Sequence, residues 1–543
     1  MVFKLFNIYS NCCFLVFVVL IVYVLYKVKK NKIIYDNSFL AFINKHYKIF
    51  LGIIFIVFIF TRLYNLSNIP KIIHIDEASV AYNAFNIANY HVDRYTNLFP
   101  IYFLNFDNGQ SAMYTYLAAI LFKIFGYSIF VLRLPAVFFA FLTLVFGFLI
   151  GKELKDNAFG VLVAFLITVC PYFIMISRWA LDCYLMLGFF TISIYCLLKA
   201  IKKGKGYLYV ISGLMFGLTL YTYALSYLIV PIVLLLLLIY LIYLKKLSLK
   251  NFILFCIPFF ILALPLFIDV LVQQGIIGEI KTRLFSMPKM GTKRTSEISL
   301  SNVLINLKSI GNYLICDSVF NNKSIFGTLY LFSIPLILIG MIIAFVNAFK
   351  SIKSRNFNLY MYLIIIFLGD FISLLFVQYG FTILWKGNSL FICLVIFLAL
   401  GIYFIIEKIK NAYIIVLVIY LIAFGYFTYD YFNLYSDRLY DSFQPMTDYI
   451  HALEDADKKD KEIYSTDMGN LKWNNLWAGL ALKTKPWFYK ENTDHFDKIS
   501  FYIPDENYDD KIYIVLEERA DTLLKDDFTC KKYGKVYECY KGE

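Results

Sequence analysis

Asp76 and Glu77 stand side by side in Ile69-Pro-Lys-Ile-Ile-His-Ile-Asp-Glu-Ala-Ser, the first polar stretch after a spanning apolar run. Carboxylates at a bilayer surface can take a proton from an incoming group, ligate a cation, or both, which suits a reaction on a lipid. The base rate for two adjacent acids is a solvated loop, so the pair must be weighed with its surroundings. His74, two residues earlier, completes a His-Asp-Glu set that can bind a divalent metal, although proton transfer needs only a carboxylate. Arg178 and Asp182 lie one helical turn apart, a spacing for an ion pair at a helix end or for a guanidinium offered to a phosphate. Lys293 and Arg294 close a basic stretch with Lys281, Arg283 and Lys289, and admit the same two readings.

Composition determines what must position these groups. The chain has 543 residues, 60% hydrophobic, 19% aromatic and only 16% charged, which marks a polytopic membrane protein. The net charge of +13 sits largely in loops beside apolar runs, so it points to membrane orientation and not to nucleic acid. About twelve runs have spanning length, near 6–26, 49–64, 131–150, 157–177, 183–200, 207–222, 225–244, 251–271, 325–349, 358–378, 388–406 and 412–431. Alternate connections carry clusters such as Lys27, Lys29, Lys30 and Lys32, then Lys199, Lys202 and Lys203. The positive-inside rule puts these in the cytoplasm and Asp76 with Glu77 outside.

The segment Ser111 to Phe125 is apolar but short, and counting it would break the charge parity. It reads as a helix lying at the outer interface, with Tyr114, Tyr116, Phe122 and Phe125 at headgroup depth. The first outer loop, 65–130, is then a structured platform. A second outer loop, 272–324, contains an amphipathic helix from Ser296, with Ile298, Val303, Leu304, Leu307, Ile310 and Leu314 on one side. Asp370 falls inside a spanning run, where it must pair, stay protonated or line a polar cavity.

Beyond residue 432 the chain turns polar. Residues 432–543 form a small outer α/β or α+β domain, with a helix from Ser442 to Ala456 and strands at Glu462–Thr466, Lys511–Leu516 and in both halves of Phe528–Tyr540. Residues 1–48 are an extra spanning helix and a basic loop, and 49–431 the main transmembrane unit. The cysteines show no metal-ligand spacing. A two-residue turn at Gly534-Lys535 sets Cys530 opposite Cys539, within reach of a disulfide.

The order of short motifs carries a resemblance. Asp76-Glu77, Asp93-Arg94-Tyr95, Gly109-Gln110-Ser111 and Arg133-Leu134-Pro135 follow one another. Ser177-Arg178-Trp179-Ala180-Leu181-Asp182 and Leu220-Tyr221-Thr222-Tyr223 come after them. Along about residues 65–230 this resembles the GT-C glycosyltransferases, specifically glycosyltransferase family 39, the protein O-mannosyltransferase and aminoarabinose-transferase group. The resemblance implies an all-α GT-C membrane fold and an inverting transferase that takes a sugar from a polyprenyl-phosphate donor. The acceptor is a protein, glycan or lipid outside the plasma membrane. By position Asp76 is the base and Glu77 its helper, and Arg178, Lys293 and Arg294 are cations for the leaving phosphate. Asp182, Asp93, Arg94, Gln110 and Arg133 support them. No cofactor is required on this reading, and a divalent metal is the lesser alternative.

The chain departs from the family at Trp385-Lys386-Gly387-Asn388-Ser389, where relatives carry an arginine; Lys386 can substitute only as a point charge. Two other classes compete. A transporter or flippase of a lipid-linked substrate would bury charges such as Asp370 but should show internal repeats, which are not found. A receptor or assembly factor would use the outer domain alone.

Overall fold

The computed structural model describes residues 2–30, 38–106, 108–291, 294–316, 324–352, 355–442 and 446–542. Among them ten helices are long and apolar enough to cross a membrane: Phe3–Lys29, Ser38–Leu63, Ile129–Leu154, Asp182–Lys203, Ser226–Tyr243, Leu249–Gln274, Leu331–Lys350, Leu359–Phe376, Leu390–Lys408 and Ala412–Leu439. The two remaining expected runs fold as shorter helices. Gly206–Leu220 is one. The other, 157–177, breaks into Asn157–Val169 and Pro171–Ile176 around Cys170.

The cause of that break is chemical. Pro171 has no N–H, so the carbonyl four residues earlier, Ile167, loses its helical partner. In hydrocarbon an orphan carbonyl must be satisfied internally. Arg62, wholly buried at the end of Ser38–Leu63, donates to Ile167 O at 2.9 Å and Thr168 O at 2.7 Å. Elsewhere small residues allow close approach. A Cβ on Gly340 would lie 1.8 Å from Phe397 O, and one on Gly401 2.0 Å from Leu336 O, so Ile334–Ile352 and Leu390–Lys408 meet backbone to backbone.

The two ends of the bundle differ in chemistry. At one end the lysine-rich connections gather: Glu153 pairs with Lys199 and Lys202, Lys155 with Glu407, and Asn44 donates to Asp156. The opposite end holds the three polar segments expected to share a side. Ile101 N donates to Ser286 O at 3.1 Å, joining the first loop to the second. Thr447 Oγ1 donates to Lys71 O at 2.8 Å, and Tyr82 OH to Thr484 O at 2.7 Å, joining the first loop to the C-terminal unit.

Ala112–Phe125 is a helix, but its face is not the one expected. Tyr114 is fully buried and donates to Leu132 O, Tyr116 donates to Pro100 O, and Phe122 packs on Tyr127. Only Phe125 of the four aromatic residues is exposed, together with Ile120 and Ile124. The aromatic rings serve the platform's own core. The expected amphipathic helix from Ser296 is also divided, into a turn Arg294–Glu297 and helices Asn302–Ser309 and Asn312–Ile315.

The C-terminal unit is a six-stranded mixed sheet with helices. From one edge the order is His495–Phe496, Ile499–Ser500, Ile463–Ser465, Ile512–Val515, Val536–Tyr540 and Thr529–Tyr533. Helix Met446–Asp457 stands where a helix was expected, and Leu471–Ala481 and Glu517–Lys525 were not anticipated. The core of this unit is continuous with the helix Ile75–Tyr90: Ala78, Tyr82, Tyr449, Trp477 and Ile463 belong to one buried cluster. Cys539 faces Cys530 in the ladder, and the two are bonded. Replacing both by serine removes a crosslink with a sequence separation of 9. The loop-entropy term predicts a loss of about 2–3 kcal/mol from that unit's stability, read by urea unfolding. Alkylation of both thiols in protein isolated without reductant would contradict the bond.

Candidate active site

The helix Ile75–Tyr90 begins at the site because its first turn is well capped. His74 Nδ1 accepts from Asp76 N at 3.1 Å, and Asp76 and Glu77 complement the positive end of the helix. The two carboxylates then part company. Asp76 keeps 43% of its side chain exposed, accepts from Asn105 Nδ2 at 2.9 Å through Oδ1, and turns Oδ2 toward His74 Nδ1 at 3.6 Å. Gln110 Nε2 donates to its backbone carbonyl at 3.1 Å.

Glu77, by contrast, is fully buried. Its two oxygens accept from Arg133 Nε at 2.8 Å and Nη2 at 3.0 Å, and Oε1 also accepts from Ala180 N at 2.9 Å. Arg133 spends its remaining donors on the carbonyls of Leu66, Pro70 and Ile72. Both Glu77 oxygens are therefore engaged in holding the platform together, where a helper to Asp76 was expected. Arg133 holds that platform too.

Arg178 needs the same correction. Its guanidinium is buried and donates to the carbonyls of Thr61, Arg62, Tyr64, Asn65 and Ile69, where the helix Ser38–Leu63 ends. Burial pushes it down to about 10. A group so occupied closes a helix end and is not presented to a phosphate. Lys293 lies outside the described residues; Arg294 opens the turn Arg294–Glu297, and nothing further is described of its side chain.

Asp182 does enter the site. It accepts from Ser111 N at 3.0 Å and Cys183 N at 2.9 Å, so the segment that also carries Gln110 is pinned between the two aspartates. Asn388 ties this turn down from the other side, donating to Cys183 O at 2.9 Å. Asp93 is buried and accepts from Tyr95 N, Asn97 N and Asn97 Nδ2; burial raises its carboxyl above the usual range against those hydrogen bonds. Burial also opposes the charge of Arg94, but the oxygens of Tyr95, Tyr489 and Glu491 outweigh it and raise the guanidinium. No three His, Cys, Asp or Glu side chains converge to hold a metal among the described residues, since Glu77 turns away from His74 and Asp76.

An apolar groove of about 990 Å³ runs between Ser226–Tyr243 and Leu249–Gln274. Leu228, Pro231, Phe260 and Phe267 line its length, and Tyr102, Gln273, Met290 and Glu297 its polar end. Tyr102 and Met290 close on Gly109, where a Cβ would lie 2.0 Å from the tyrosine ring and 2.6 Å from the sulfur. The residue after Gly109 is Gln110, which touches Asp76. At the same end Lys386 Nζ donates to Glu297 Oε2 and Gln378 O, both at 2.8 Å. Asn105 and the groove had no signal in sequence spacing; Lys386 had one, as the cation in the segment where the chain departs from the resemblance.

Residues 110–272 match the dolichyl-phosphate-mannose-protein mannosyltransferase family. No curated protein sequence matches the chain. The crystal structure of ArnT from Cupriavidus metallidurans bound to undecaprenyl phosphate superposes with a TM-score of 0.51 at 9% identity. The match covers 91% of this chain and 98% of that one. The apo form of the same enzyme gives 0.51 at 10% identity, covering 91% and 97%. The oligosaccharyltransferase of Archaeoglobus fulgidus gives 0.49 at 16% identity, with 81% of this chain covered. The chain spans 64% of the length of that protein. The fold is that of the GT-C glycosyltransferases, in a multi-pass membrane protein.

Proposed function

We propose that the chain is a membrane glycosyltransferase that takes a sugar from a polyprenyl-phosphate donor and passes it, with inversion, to a protein, glycan or lipid acceptor. The observation that carries this reading is a half-exposed carboxylate, Asp76, linked through Gln110 and Gly109 to Tyr102 and Met290 at the polar end of a lipid-sized groove. A polyprenyl chain fits an apolar channel between two spanning helices, and its phosphate then stops where Glu297 and Lys386 meet. The acceptor hydroxyl loses its proton to Asp76 Oδ2 as it attacks the anomeric carbon from the face opposite the phosphate, and the phosphate leaves with the bonding pair. Asn105 holds the other carboxylate oxygen. Gln110 Oε1 and Ser111 Oγ are buried without a hydrogen-bond partner among the described residues, an unmet capacity that supports a role for this segment in holding the sugar.

Lys386 takes the role of the phosphate cation on this reading, exchanging Glu297 for the donor. The lysine distribution supports an extracytoplasmic site in the plasma membrane. No metal is required, because the base is a carboxylate and the leaving group is met by an ammonium. The test uses native membranes supplied with polyprenyl-phosphate mannose. Lys386→Met should raise KM for this donor by about tenfold or more, the loss of one charge-assisted contact. Transfer from a soluble nucleotide sugar with no lipid-linked donor present would refute the donor class.

A further inference from the structure

The C-terminal unit reaches the reacting carboxylate through an unbroken series of hydrogen bonds. Glu491, on the segment after the helix Leu471–Ala481, accepts from Tyr95 OH at 2.6 Å. Tyr95 OH in turn accepts from Arg94 Nη2 at 3.0 Å, and the same nitrogen donates to Asn105 Oδ1 at 3.2 Å. Asn105 Nδ2 then donates to Asp76 Oδ1. Arg94 Nη1 is anchored on Ser79 Oγ at 2.6 Å, so the guanidinium cannot swing away.

The polarity of this series is set from its far end. An asparagine amide can face either way, and here its oxygen meets a guanidinium, so its NH2 must face the carboxylate. The reverse orientation would set donor against donor at Arg94 and oxygen against oxygen at Asp76. Arg94 is wholly buried and has no carboxylate within ion-pair distance among the described residues. Glu491 is the acid that Tyr95 presents to it, and Tyr489 stacks its ring edge near Tyr95 from the same segment. The seat of the segment is firm: Tyr82 donates to Thr484 O, and Tyr90 packs on Trp487.

We infer that Glu491 is a positioning residue for Asp76, acting through Tyr95, Arg94 and Asn105, so that the C-terminal unit is part of the reaction centre. This rests on the reading of Asp76 as the base. None of the side chains in the series, from Glu491 to Asp76, lines the donor groove. Loss of Glu491 therefore acts on the chemical step and leaves donor affinity alone.

The test measures kcat and donor KM in native membranes with polyprenyl-phosphate mannose for full-length Tyr95→Phe, Glu491→Ala, Glu491→Gln and Asp76→Asn, with thermal stability recorded for each. Tyr95→Phe and Glu491→Ala should lower kcat about tenfold with donor KM unchanged, the effect of one hydrogen bond to a charged group. Glu491→Gln keeps an acceptor for Tyr95 and should recover most of the rate. Native kcat in both Tyr95→Phe and Glu491→Ala, with Asp76→Asn inactive, overturns the inference and leaves the base assignment standing. A fall in kcat that glutamine does not rescue and that tracks lost thermal stability overturns it too. Full activity in Asp76→Asn overturns both.

Discussion

Asp76→Asn is expected to yield a folded, membrane-inserted protein whose transfer rate is lower by about a thousandfold, within the range general bases supply. The substitution is nearly isosteric, and the amide oxygen can still accept from Asn105 Nδ2 while the helix Ile75–Tyr90 keeps its His74 cap. What it removes is the lone pair that receives the acceptor proton. Donor binding should survive, since the groove and Lys386 are intact. The measurement is single-turnover transfer in native membranes beside a binding assay for the donor. Retained turnover would end the assignment of Asp76 as base, whereas lost binding with lost turnover would point to a structural role.

The second large effect concerns stability. Arg133→Ala leaves the Glu77 carboxylate wholly buried with only Ala180 N to answer it, and strips the carbonyls of Leu66, Pro70 and Ile72 of their donor. Breaking one side of a buried ion pair costs about 3–5 kcal/mol, a large share of what holds most proteins folded. Little monodisperse protein should be recovered from detergent extracts of cells carrying this variant. Replacing both partners, Glu77→Met with Arg133→Met, removes the uncompensated charge and should recover part of the yield. If the double variant folds and still turns over, Glu77 has no part in the chemistry. If Arg133→Ala alone extracts and melts as the native protein does, the pair is not the tie described.

Much of the fold was legible because bilayer crossing is written in long apolar runs, and the lysine-rich connections gather at one end as their distribution implied. The run 157–177 reads as one full span because hydropathy does not register Pro171 as a break, and the proline's effect depends on Arg62, far away in sequence. The site was half legible. Asp76, Gln110, Asp182 and Arg94 come together, and types plus order were enough to single them out. Glu77 and Arg178 were misjudged for a common reason: a charge in a motif signals a strong interaction without saying with what. Glu77 found a guanidinium and Arg178 a row of carbonyls, and only coordinates reveal such partners. Asn105, at the end of a short strand, and Glu491, outside any helix or strand, are ordinary polar residues whose importance lies in whom they meet.

Arg62 and Pro171 also constrain how this chain can change over time. Each depends on the other: without the arginine, the carbonyls of Ile167 and Thr168 are left buried without the donor that meets them. Without the proline, a continuous helix would reclaim Ile167 O and leave a buried cation with one partner fewer. The two positions are therefore epistatic across more than a hundred residues, and their single-substitution effects should fail to add in a double-mutant cycle. Lineages descended from such a chain would have to lose or keep both together, a signature that can be sought as covariation without reference to the reaction at all.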